Sequence, residues 1–195
     1  MTNRDETQGF RLPKGSAAQL QAYIRQLLFV LGALFFSLFQ SAKAQSPVEY
    51  SVYANIIYHF TKYIDWPDSE KRGDFVIGVV GNTPLFDELK AAIATKTAGS
   101  QHIIVKKLTA SMPSYDCQIL FLSEGESWSL EKIAQRTEGA PVLLISEDKD
   151  AASRGACINF SIVSERLKLE INKNNIENRR LRIANELLRL GKIVK

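Results

Sequence analysis

Cysteine and histidine are scarce in this chain, two of each in 195 residues. With Cys117 and Cys157 alone, a disulfide scaffold is excluded and the hydrophobic core must carry stability. One bridge between the two cysteines and two buried thiols are both open to the sequence. His59 and His102 have no second His or Cys at ligand spacing, and a catalytic zinc site needs three protein ligands. No metal site is therefore expected. A glycine-rich phosphate loop and a Gly-x-Ser-x-Gly elbow are also missing. Gly78-Val-Val-Gly81 lacks the third glycine and the later acidic residue of a dinucleotide fingerprint, and a tight strand-to-helix turn explains it. Nothing pairs a nucleophile with a base, so neither a cofactor nor catalysis is expected.

The apolar run Leu27 to Phe39 holds 13 residues, well short of the roughly 20 that a spanning helix needs. Arg25 precedes it and Ser41-Ala42-Lys43-Ala44 follows. A basic flank, a short apolar core and a small-x-small site describe a secretory signal peptide over residues 1–44, with cleavage after Ala44. An uncleaved amphipathic anchor is the competing reading. The working domain is then residues 45–195, enough for one core and too short for two ordinary domains. The chain carries a formal net charge of +4. Arg4, Arg11, Lys14, Arg25 and Lys43 outnumber Asp5 and Glu6 in the leader, which accounts for most of that charge. No nucleic-acid partner follows from it.

Val48, Val52, Ile56, Phe60 and Ile64 recur every four residues, which predicts an amphipathic helix over 48–65 burying that stripe. Trp66-Pro67 stops it. Phe75 to Gly81 reads as a strand buried on both faces. Thr83 as N-cap and Pro84 at the first position open a second helix, running to about Ala94. Strands follow over 103–108, 117–122 and 141–145, with a helix over 127–137 between the last two. Residues 156–163 and 167–171 read as a hairpin with one wet face. A final helix over 175–190 is predicted to bury Ile176, Ile183, Ala184, Leu187 and Leu188, turn Arg179, Arg180, Arg182 and Arg189 outward, and end at Gly191. The alternation predicts a single three-layer α/β domain. Its sheet is mostly parallel and open, of the flavodoxin/Rossmann type, with an N-terminal helix, a C-terminal hairpin and a final helix.

Open α/β sheets bind ligands at the carboxyl ends of their strands. Asn82, Thr83, Ser123, Glu124, Gly125, Ser146 and Glu147 fall there and form a candidate polar cleft, the first four of which carry the ligand-site expectation, although turns and helix caps require the same residue types.

Glu49-Tyr50-x-Val52 leads into Tyr58-x-Phe60-x-Lys62-Tyr63-Ile64-x-Trp66-Pro67, then the Ile77–Gly81 strand and Cys117–Leu122. Ile158-Asn159-Phe160 and Leu169-Glu-Ile-Asn172 come next, before the leucines at 187, 188 and 190. In this order, over essentially all of residues 45–195, the chain resembles the YfiR-like family of exported bacterial proteins. The resemblance implies a periplasmic repressor that contacts the periplasmic domain of a membrane-bound diguanylate cyclase. It also implies sequestration by an OmpA-type outer-membrane lipoprotein, and a homodimer. Phe160, Glu170 and Ile176 carry over as an interaction patch, whereas periodicity places Phe160 and Ile176 in the core. Family members bear a cysteine near Gly78 bridged to the one matched by Cys117, and this chain has no such partner. The alternative function is a periplasmic small-ligand-binding module accessory to outer-membrane uptake.

Overall fold

The computed structural model describes residues 49–164 and 166–194, together with Gln21, Arg25 and Leu28. The expected signal peptide lies outside the described residues apart from those three. Helix α1, Tyr50–Tyr63, opens the domain and gives way to a two-residue strand, β1, Ile64–Asp65. Trp66 is buried beyond it, its ring edge-on to Phe75 at 5.0 Å and its Nε1–H donating to the Gln118 carbonyl at 3.2 Å. The Trp-Pro stop therefore also anchors the chain to the sheet.

The face that α1 buries differs from the four-residue stripe. Tyr53, Ala54, Ile57, Phe60 and Ile64 are buried, while Val52 is 39 % exposed and Ile56 only half-buried. Four residues advance a helix by about 400°, so a strict i, i+4 row drifts around the cylinder, whereas 53, 57, 60 and 64 follow the 3.6-residue turn. Val48 lies outside the described residues.

Strand β2, Phe75–Val80, is buried along its whole length. Helix α2, Leu85–Ile93, follows, packed against α1. Pro84 takes the N-cap position, one residue later than expected, and the Thr83 hydroxyl before it accepts from the Leu85 N–H at 3.3 Å. A two-residue strand, β3 (Thr97–Ala98), turns back into β4, Gln101–Leu108. Next come β5, Ile119–Leu122, a 3-10 segment over Glu124–Ser129, helix α3, Leu130–Arg136, and β6, Leu143–Ser146. Strands β7, Ile158–Val163, and β8, Arg166–Asn172, form the expected antiparallel hairpin.

The predicted helix over 175–190 is not one helix. Helix α4, Lys173–Asn178, ends where Arg180 takes a left-handed φ of 60°. A short strand, β9 (Arg182–Ile183), then pairs with β1, a four-residue helix, α5 (Asn185–Leu188), follows, and β10, Lys192–Val194, joins the sheet. Arg179 is the physical reason. Its guanidinium is buried rather than outward, donating to the carbonyls of Ala134, Gly155 and Asn175 and to the Thr137 hydroxyl. A straight helix could not both reach those acceptors and return residues 192–194 to β8. Gly191 is no helix cap: a Cβ there would stand 2.6 Å from Ile171 Cδ1, so glycine lets the last strand approach β8.

The main sheet runs β10-β8-β7-β6-β5-β2-β4-β3, with β2, β4, β5, β6 and β7 mutually parallel. From β2 the chain steps to β4 on one side, and from β5 to β6 on the other. Right-handed crossovers therefore place α2 and α3 on opposite faces, giving the expected three-layer α/β architecture.

Candidate functional site

Strands β2 and β5 are the neighbours between which the winding reverses, so a crevice would open beyond Val80 and Leu122. Asn82, Thr83, Ser123 and Glu124 do gather there. Gly81 has φ 98°, and a Cβ on it would fall 2.0 Å from Ser123 Oγ, so the two turns already touch. Ser123 is buried, its carbonyl accepting from the Glu126 N–H at 3.0 Å, while Asn82 and Glu124 are exposed. Glu147, just past β6, reaches in: its Oε1 accepts from the Glu124 N–H at 3.2 Å and the Tyr50 hydroxyl at 3.4 Å. Burial pushes the Glu147 carboxyl above the usual carboxylate range. The backbone donor that an anionic ligand would use is thus occupied by the protein's own carboxylate.

Cys117 and Cys157 are both free, buried thiols. They flank β6 from opposite sides, since the Gln118 carbonyl accepts from Leu143 N–H and the Leu144 carbonyl from Cys157 N–H. Two strand spacings put them about 10 Å apart, beyond disulfide reach. Burial pushes the Cys117 thiol up to about 12 and Cys157 likewise upward, so both are inert at neutral pH. A Cβ built on Gly78 would stand 3.4 Å from Cys117 Sγ, which is the side on which the family's bridging cysteine is implied. Among the described residues no three His, Cys, Asp or Glu side chains are grouped to hold a metal ion.

The three residues carried over as an interaction patch separate. Phe160 is 1 % exposed, with ring centroids 4.6 Å from Tyr53, 6.1 Å from Phe60 and 6.4 Å from Phe121. Ile176 is fully buried. Both are core residues in this conformation, as their periodicity suggested. Glu170 is half-buried and reaches the surface, its Oε2 accepting from Asn159 Nδ2 at 3.2 Å and its Oε1 lying 3.5 Å from Lys192 Nζ.

Glu170 lines a groove of about 1060 Å³ between α1 and the C-terminal strands. Val52, Ile56, Phe60 and Tyr63 form the helical wall, and Val163, Leu167, Leu169, Leu187 and Leu190 are apolar residues opposite. Sequence reasoning missed this groove because Val52 and Ile56 had been assigned to the core. The available signal was that α1 carries more apolar positions than one buried stripe can use. Leu190, 68 % exposed, was lost for the opposite reason, in a helix that does not form.

A family model described as YfiR/HmsC-like matches residues 50–192. No curated protein matches the chain.

Proposed function

Because the chain belongs to the YfiR/HmsC-like family, we propose that it is an exported periplasmic regulator of cyclic-di-GMP signalling that represses a membrane-bound diguanylate cyclase by direct contact. The regulatory role is what the family implies. The repressed partner, the contact surface and the export step are the finer parts of the reading. The single observation that carries the contact surface is the groove beside Glu170, where exposed apolar side chains border the one interaction-patch residue that reaches solvent. Monomeric proteins rarely leave such a patch contiguous without a partner.

The chemistry of the site fits binding. Its carboxylate, Glu170, is engaged by Asn159 and Lys192. No helix among the described residues is long and apolar enough to cross a membrane. The protein acts from the periplasm on the cyclase's periplasmic domain, and an OmpA-type outer-membrane lipoprotein relieves repression by competing for the same surface. A homodimer is the form that the resemblance implies.

Affinity purification of the tagged protein from solubilised cell envelopes is expected to recover a diguanylate cyclase, and Glu170→Lys to reduce the recovery. Recovery of no cyclase by the wild-type protein would remove the basis for repression by contact.

A further inference from the structure

The groove's composition is more specific than a general contact surface needs. Its walls are mainly aliphatic, and its charged side chains are Lys168, Arg189, Lys192 and Glu170. Glu170 already has Asn159 and Lys192 as partners. Among the described residues no carboxylate lies within ion-pair distance of Lys168 or Arg189, and both are exposed. An apolar trough with two uncompensated cations has the complementarity of an alkyl chain ending in a single negative charge.

We propose that this groove binds a medium-chain alkyl carboxylate, a free fatty acid, with its chain along Val52, Ile56, Leu169 and Leu190 and its carboxylate beside Lys168 and Arg189. The volume, about 1060 Å³, is slightly above the roughly 300–1,000 Å³ of small-molecule sites and leaves ample room for such a chain. A polypeptide occupant would bring a backbone donor and acceptor at each residue. Apart from the four charged side chains, those available to meet them in the walls are His59, Tyr63 and Ser161. A cationic amphiphile would set like charge against Lys168 and Arg189. The binding claim does not depend on the cyclase being the partner. If both hold, a fatty acid in the groove covers the surface beside Glu170 and competes with repression.

Isothermal titration calorimetry of the purified protein with decanoate, below its micellar concentration, tests this beside decyltrimethylammonium. One decanoate should bind per chain, with the cationic amphiphile at least tenfold weaker. Leu190→Asp should weaken decanoate at least tenfold, and the double variant Lys168→Glu, Arg189→Glu should lose the preference for the anionic head. These three residues are solvent-exposed, and circular dichroism of each variant confirms that folding is intact. No saturable decanoate binding, equal affinity for the two head groups, or undiminished binding to Leu190→Asp overturns the proposal. So does a dimer, seen by sedimentation, that fills the groove and is abolished by Leu190→Asp while decanoate fails to bind. Cyclic-di-GMP levels in cells report on repression separately, so failure of decanoate binding and failure of repression are distinguishable.

Discussion

In β2, β5 and β6 every residue is buried, whereas β7 and β8 are buried only at the root of their hairpin, where β7 pairs with β6. Toward the hairpin tip Ile162 and Val163 are each 52 % exposed. The same β-branched residue types therefore do two different things. At the centre of the sheet they remove apolar surface from water, at about 25 cal/mol per Å². At the tip and along the groove they leave it in water, which folding alone does not require. Sites that cost stability when changed and sites that cost function when changed should then be separable, and the following variants test that separation.

The largest effect is expected at the buried root of the hairpin. Phe160→Ala should destabilise the domain by about 3–5 kcal/mol in chemical denaturation, because it empties a site enclosed by three aromatic rings. A near-neutral result would return Phe160 to the surface and restore it as a direct contact residue. Arg179→Met comes next, at about 2–3 kcal/mol, because it leaves buried carbonyls without their charged donor. A cost within experimental error would mean that the break between α4 and β9 has another cause.

Glu147→Gln gives a smaller effect that depends on pH. Burial raises the folded-state pKa of Glu147 above its unfolded value. The folded state thus favours the protonated form, and its penalty appears as pH rises from the unfolded pKa, near 4.3, through the folded one. Glutamine can still accept from the Glu124 N–H and carries no charge to desolvate. Relative to wild type, the variant should be more stable at pH 7 than at pH 4, measured as the difference of denaturation midpoints. The opposite sign would show that the carboxylate is stabilised where it lies. The smallest stability effect is expected at Leu190→Asp, within about 0.5 kcal/mol of wild type, even though the groove should lose its apolar wall. A large loss of stability there would erase the distinction between centre and tip.

The legible part of the molecule follows the same division. Phe75 to Val80 and the core strands β5 and β6 read correctly because burial on both faces leaves an apolar run that nothing else explains. Thr83-Pro84 announced α2 through chemistry local to the turn. In the C-terminal quarter, Ile176, Ile183 and Leu187 sit at helical spacing although three different elements carry them, the first and last buried and Ile183 half-buried against the core. Periodicity cannot register that Arg180 turns left-handed, or that Arg179 finds three of its four acceptors 24 to 45 residues away in sequence. The polar cleft was located at the right end of the right strands. Glu147, expected there too, holds the Glu124 N–H itself, a pairing that depends on how β6 ends beside β5 and that no local pattern records. The groove stayed hidden because half of its helical wall passed for core.

The account rests on repression by contact, and cyclic-di-GMP in intact cells measures it most directly. Deleting the gene should raise the nucleotide, and restoring the wild-type protein should lower it again, while Glu170→Lys, expressed to the same level, should fail to do so. A cyclic-di-GMP level unchanged by the deletion would contradict the account.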